Sequence, residues 1–356
     1  MADIPIVDSH IHLYPGSEVP SLAWATPGNP IAAQRSLDEY RAATGSPSNL
    51  RGFIFVETDR VHDLATGAAD GSGWEGPLAE VAWLRRVVEG TPRDGEGHGP
   101  DDAPLCLGIV PWAPLPSGPE VLQRYIDRVR EVAGPVAWPK IRGFRYLVQD
   151  KPHGTAIEEP FINSLKLLGK LGLTFDLGVD QHRRGKQQLE EALVMISLAH
   201  DSVPEDEQVT IIINHMCKPD LTIINTTDPS FLHWRTAIYA LSKANRTYMK
   251  LSGGFAEMAP SLSTQAPEAI FDGIIPWLTV ILATFGARRT MFASDWPVCT
   301  LRPSASEGGD PVADDSSWTK WKLIADRLCY MSTMDPEEQT ELFSGTALKA
   351  YGIKSE

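Results

Sequence analysis

Ile4-Pro-Ile-Val-Asp-Ser-His-Ile-His-Leu13 is an apolar run that ends in two histidines one residue apart. Side chains at i and i+2 of a strand share a face, so His10 and His12 can offer both imidazoles to one ion. Taken alone, the pattern more often marks one buried and one surface histidine. Its meaning depends on what the rest of the chain brings to the same strand end.

Counting 4–12 as the first, eight strand-like runs follow one another, the others being 50–57, 105–112, 141–148, 173–179, 209–215, 247–252 and 290–295. Amphipathic helical patterns fill the spaces at 78–89, 119–132, 160–171, 187–200, 231–244, 267–285 and 317–331. Alternation of this kind is what a parallel sheet with crossover helices requires. Eight units predict an α/β fold, a (β/α)8 TIM barrel whose site lies at the C-terminal ends of the strands. The length of 356 residues suits one barrel domain over 1–356 with loop insertions. Segments 15–36, 58–74 and 300–315 each follow a strand and belong over the catalytic face, whereas the Gly- and Asp-rich 90–104 precedes a strand and is expected to be solvated on the opposite face. The most apolar pattern, 267–285, reads as a buried core helix.

A net charge of −14 disfavours nucleic acid, and no unbroken apolar run approaches the ~20 residues of a membrane span. The start of the chain lacks a signal-peptide pattern, which makes the cytoplasm the default compartment. Cys106, Cys217, Cys299 and Cys329 are far apart, so they read as buried thiols and not as a zinc ribbon or disulfide framework. The expected partner is a small molecule, with no nucleic acid and no membrane; a homodimer is left open.

Several strand ends carry groups fit for metal binding or proton transfer: His10 and His12, Glu57, His215 and Asp295. Imidazole and carboxylate donors suit zinc, and less selectively manganese or iron. Arg142 and Arg145 differ by three and face opposite sides of a strand, and Arg145 lies nearer the catalytic end. Its planar fork can bind a carbonyl or hydroxyls.

Six motifs, in order, span nearly the whole chain: Asp8-Ser-His-Ile-His12, Arg142-Gly-Phe-Arg145 with Gln149-Asp150, Asn214-His-Met-Cys-Lys-Pro219, Lys250-Leu-Ser-Gly253, Phe292-Ala-Ser-Asp-Trp-Pro297 and Gly345-Thr-Ala-Leu-Lys-Ala-Tyr-Gly352. In them the sequence resembles the amidohydrolase superfamily, in the amidohydrolase-related group that contains sugar-acid lactonases. Segments 58–74 and 175–182 are most similar to the fungal L-rhamnono-1,4-lactonases. The resemblance implies a distorted barrel, His10 and His12 as ligands of one divalent ion, zinc first, and Asp295 as base and ligand. It also gives His215 a hydrogen bond to the water or the substrate carbonyl; orienting Asp295 is its other reading.

Glu57 either completes the metal shell or holds a histidine Nδ1. Gln149 and Asp150 are candidate hydroxyl ligands, His182 and Lys218 can reach a sugar from their loops, and Trp24, Trp74 and Trp296 offer aromatic faces. Two departures bear on metal count. Many superfamily members bridge two metals with a fourth-strand lysine, but Arg145 stands at that strand end, and Lys140 lies about 16 Å back at ~3.3 Å per residue. On the fifth strand, where a histidine ligand is common, this chain has Asp176. One metal or none is expected.

The implied reaction is hydrolysis of an aldonolactone, L-rhamnono-1,4-lactone first, to the open acid in sugar catabolism. The alternatives are a decarboxylase of the same superfamily, a lactonase that works without metal, and a catalytically silent sugar-acid binder.

Overall fold

The computed structural model describes residues 4–302 and 312–354. Among the described residues, eight strands build the barrel: β1 (Ile6–Ile11), β2 (Leu50–Val56), β3 (Cys106–Val110), β4 (Gly143–Arg145), β5 (Thr174–Leu177), β6 (Ile211–Ile213), β7 (Thr247–Leu251) and β8 (Thr290–Phe292). They run parallel in chain order, as β1-β2-β3 and β4 through β8. Irregular backbone closes the ring at two seams. Arg145 N–H donates to Pro111 O at 2.9 Å between β3 and β4, and Asp295 N–H donates to His10 O at 2.9 Å between β8 and β1. The result is the distorted (β/α)8 barrel that the strand–helix alternation predicts.

Several strands are shorter than their sequence patterns. β4 spans three residues, and at Gly143 a Cβ would lie 2.0 Å from Thr174 Oγ1, so only glycine permits this approach of β5. β8 stops at Phe292, three residues before Asp295. β1 contains a bulge: between Asp8 and Ile11 it advances three residues while β2 advances from Phe53 to Phe55. A bulge re-aims side chains, and here it decides which residues enter the barrel. Val7 packs inside with Ile54, Val56, Val110, Ile212 and Met291, and His10 also faces in. Asp8 instead faces out, accepting from Ser294 N–H (2.8 Å), Tyr40 Oη (3.0 Å) and Trp318 Nε1 (2.8 Å). The first motif therefore divides its labour, with Asp8 pinning β1 to the eighth strand and outer helices while the histidines serve the interior.

The outer helices follow the sequence pattern closely, and Pro267–Phe285 and Ser317–Met331 match it residue for residue. Pro267–Phe285 is long and apolar enough to cross a membrane by length and composition, yet Ile270, Ile274, Trp277, Leu278 and Ile281 are buried against the protein. Two helices go beyond the sequence pattern: Leu37–Thr44, in a stretch given no element, and Leu64–Asp70, inside the expected loop 58–74. The first is fixed at its start by Glu39 Oε2, which accepts from the Ser36 N–H at 2.8 Å, and is ended by Gly45 at φ 66°, a left-handed position that suits glycine. Segment 90–104 is solvated over 91–95 and at Pro100, Asp101 and Pro104, as its composition suggests, but three of its polar residues turn inward. Glu96, His98 and Asp102 are buried because Arg86 and Arg41 pair with Glu96 and Asp102, and Gly97 O accepts from Asp38 N–H. Of the expected lid 300–315, Leu301–Arg302 and Val312–Ala313 pair antiparallel, and 303–311 lie outside the described residues.

One buried carboxyl in the wall makes a stability prediction. Glu80 accepts from the Thr58 N–H (3.1 Å) and hydroxyl (3.2 Å), and burial, opposed by Arg60, pushes its pKa up to about 8. Between its ordinary value of 4.5 and about 8, the folded chain holds a proton that the unfolded chain has released, so stability falls as pH rises through that window. Glu80→Gln removes the titration. From about pH 5 to about pH 8, urea unfolding should shift in favour of the variant by a few kcal/mol, at about 1.4 kcal/mol per unit. A difference that stays constant with pH would show Glu80 ionised throughout.

Candidate active site

A cavity of about 310 Å³ opens at the C-terminal ends of the strands. Its walls include His12, Glu57, Arg145, Gln149, Asp150, His215, Lys218 and Asp295, so most of the residues singled out in the sequence converge on one space. His10 sits just beneath, fully buried.

Three imidazoles gather round one carboxylate oxygen. Asp295 Oδ1 lies 3.6 Å from His10 Nε2, 3.4 Å from His12 Nε2 and 3.7 Å from His215 Nε2, and the Nε2 atoms of His10 and His12 are 3.1 Å apart. Zinc bonds of about 2.0–2.1 Å in a tetrahedron set donor–donor edges of about 3.3 Å. His10, His215 and Asp295 bring donor atoms within 4.8 Å of one another, a set that fits a single ion, and His12 Nε2 lies beside the same Asp295 oxygen. The histidines are also oriented as ligands need to be. His12 Nδ1 donates to Val56 O (2.8 Å), which leaves Nε2 free of hydrogen, and His215 Nδ1 meets Ser252 Oγ (2.8 Å). Burial lowers His215 to about 3, so its ring is neutral, and burial together with the nearby Lys250 holds His10 well below its ordinary value. For Asp295, burial alone would raise the pKa, but His215, His12 and Lys218 outweigh it and the carboxyl sits below its usual range.

The backbone around this cluster is strained in a consistent way. Asp59 (φ 56°), His215 (φ 54°), Lys218 (φ 46°) and Asp295 (φ 64°) are all left-handed, all line the cavity and none is glycine. Such residues cost of order 1–3 kcal/mol each and persist where the surroundings over-determine them. At Gly253, φ 71°, an added Cβ would come 2.7 Å from His215 Cβ, so the glycine of the seventh-strand motif clears room for the histidine of the sixth.

Other expectations need correction. Glu57 is no partner of the histidines: its Oε1 accepts from Arg145 Nε at 2.6 Å and its Oε2 from Asp59 N–H at 2.5 Å. Arg145 also donates through Nη2 to Glu57 O, at 2.8 Å. Arg142 points to the other end of the barrel and donates to Gly352 O. His182 does not line the cavity. Its Nδ1 meets Glu257 Oε2 at 2.7 Å, and its backbone N–H donates to Lys218 O at 2.9 Å, so it braces the loop that carries Lys218. Trp74, in the turn that leads into helix Glu75–Glu89, is buried against Tyr125, and Trp296, next to the inward-facing Asp295, is buried against Tyr40. Of the three tryptophans only Trp24 lines the cavity, fixed by a 2.8 Å hydrogen bond from Nε1 to Thr58 O. Residues that pattern reasoning missed include Tyr14, Asn29, Ile31 and Asp59 in the cavity wall, and Lys250 with Asp176 beneath His10. Asp59 carries a signal visible only in three dimensions: burial and the Glu57 charge raise its pKa.

A model of the amidohydrolase family matches residues 7–353. The chain belongs to the amidohydrolase family. Among amidohydrolase relatives, the L-rhamnono-gamma-lactonase of Scheffersomyces stipitis is 32% identical, the match covering 99% of this chain and 100% of that protein. The L-fucono-1,5-lactonase of Burkholderia multivorans is 27% identical, over 71% of this chain and 73% of that protein. An amidohydrolase from Burkholderia multivorans, crystallised with bound zinc, has the same fold at a TM-score of 0.67 and 22% identity, covering 98% of this chain and 100% of that one.

Proposed function

We propose that this amidohydrolase hydrolyses sugar-acid lactones to their open-chain acids, with L-rhamnono-1,4-lactone as the first candidate, in sugar catabolism. The observation that carries the reading is the full-length match to a rhamnono-lactonase, at 32% identity over 99% of the chain, in a protein that keeps a complete donor cluster at the base of its cavity. A cavity of about 310 Å³ is at the small end for ligand sites and suits a monosaccharide derivative.

In this reading His10, His12, His215 and Asp295 hold one divalent ion, zinc by donor type. Such an ion supplies an acidified water and Lewis-acid polarisation of the lactone carbonyl. Asp295 turns Oδ1 to the histidines, which leaves Oδ2 to take the proton of the attacking water. Its depressed pKa keeps it ionised for that task. As the new carbon–oxygen bond forms and the ring carbon–oxygen bond breaks, the same carboxyl returns the proton to the departing ring oxygen. Arg145, already held by Glu57 through two nitrogens, presents Nη1 to a ligand oxygen in the cavity it lines. Asp59, Asp150 and Gln149 supply acceptors for sugar hydroxyls, and Trp24 supplies an apolar face.

A panel of aldonolactones in weak buffer with a pH indicator tests this. Acidification of one proton per lactone opened is expected, fastest for 1,4-lactones of 6-deoxy sugar acids. Release of CO2 from hydroxybenzoic acids without any lactone opening would replace it with the decarboxylase reading.

A further inference from the structure

His10 is gripped at both edges of its ring. Nε2 faces His12 and Asp295, while Nδ1 lies 3.1 Å from Lys250 Nζ. Lys250, in the middle of the barrel on β7, is fully buried, and its Nζ donates to Asp176 Oδ2 on β5 at 2.6 Å. The Tyr351 hydroxyl reaches the same carboxylate, 2.8 Å from Oδ1 and 2.9 Å from Oδ2. Tyr351 follows the last helix, Thr346–Ala350, and packs with Ala347 and Ala350 against Val7, Ile54 and Ile212 inside the barrel. A continuous polar chain therefore runs from the C-terminal turn through the barrel interior to one histidine of the site.

Stability does not explain this chain. Removing a lysine and an aspartate from water costs several kcal/mol per ion, and an apolar pair of similar size commonly serves a core as well or better. Among the described residues, its hydrogen-bond contact with the site is with His10. His12 is braced differently, by the carbonyl of Val56, which can only accept. The Lys250 ammonium carries donors only, and its short contact with Asp176 fixes where it stands against the Nδ1 edge of the His10 ring.

We propose that Tyr351, Asp176 and Lys250 form a positioning device that fixes the His10 ring so that Nε2 converges with His12 and Asp295, and that they thereby set the metal affinity of the site. This rests on the reading of those donors as a metal site. Lys250 is a positioning residue, and its effect is read in metal binding before it is read in turnover.

The test is zinc affinity of the full-length protein, measured by competition with a chromophoric chelator and set beside thermal unfolding. Lys250→Met should weaken zinc by about 10- to 100-fold, the usual effect of removing a ligand's outer partner. Tyr351→Phe, which removes only one hydroxyl, should weaken it several-fold in the same direction. Because Lys250→Met leaves Asp176 buried and unpaired, the double variant Lys250→Met with Asp176→Asn keeps the core neutral, and it should fold and show the same affinity deficit. Added zinc should restore turnover in each variant. If the variants melt earlier but bind zinc as tightly as wild type, the chain is only structural and the inference is overturned. If wild-type protein itself takes up no zinc, the metal reading falls and takes this inference with it, an outcome distinguishable from the first.

Discussion

Asp295→Asn should lower kcat for lactone opening by roughly 10³-fold or more while leaving the fold in place, since loss of a positioned general base typically costs 10²–10⁴. The residue is left-handed, φ 64°. Asparagine is among the few side chains that tolerate that conformation, so the backbone at the end of β8 has no reason to rearrange. Shape is also kept, because the amide replaces one oxygen by nitrogen at the same place. What is lost is the negative charge on which three imidazoles converge, and with it the proton acceptor. The two losses separate experimentally: zinc content reports on the ligand role, and single-turnover rate at full zinc occupancy reports on the base. A variant that holds zinc and turns over within a few-fold of wild type would remove Asp295 as base. An unfolding midpoint far below wild type would instead assign it a structural role.

Much of this arrangement is legible in the sequence, and the reasons why the rest is not are physical. Alternating periodicity predicts eight strands and their order because each strand must bury side chains in a barrel, and the ligand histidines and Asp295 are legible because chemistry-bearing residues cluster at strand ends. The bulge in β1 is invisible to periodicity, since period two would turn His10 away from the face that Val7 occupies. The same holds for the left-handed backbone at Asp59, His215, Lys218 and Asp295, where no residue in the string has the freedom of glycine. Lys250 looks like one member of a motif, and Asp176 like the loss of a histidine; only their 2.6 Å contact gives them a joint meaning. Glu57 shows the opposite error. A carboxylate at a strand end near two histidines reads as a ligand, but Arg145 at the end of β4, two strands along, satisfies it first. Trp74 and Trp296 were attractive for their residue type, and packing took both into the core.

Stripping the metal should reduce activity by at least about 100-fold, or some 2.7 kcal/mol of transition-state stabilisation, with recovery when zinc is added back. The competing reading, in which arginine and lysine polarise the carbonyl without a metal, has named groups to rely on: Arg145 and Lys218 both line the cavity. Their charges are not equally available. Arg145 spends Nε and Nη2 on Glu57, and the pair is close to neutral seen from the cavity. His10 and His215 are held neutral by burial, so they add hydrogen bonds and no charge. Lys218 alone then faces Asp295, whose own negative charge opposes the build-up of an oxyanion beside it. A divalent ion among these donors would reverse that sign, which is why the metal-dependent route is the one expected to win. The measurement is turnover of L-rhamnono-1,4-lactone after exhaustive chelation, with residual zinc quantified. Full activity at a small fraction of one zinc per chain would overturn the expectation and pass the polarising role to Lys218 and the free nitrogen of Arg145.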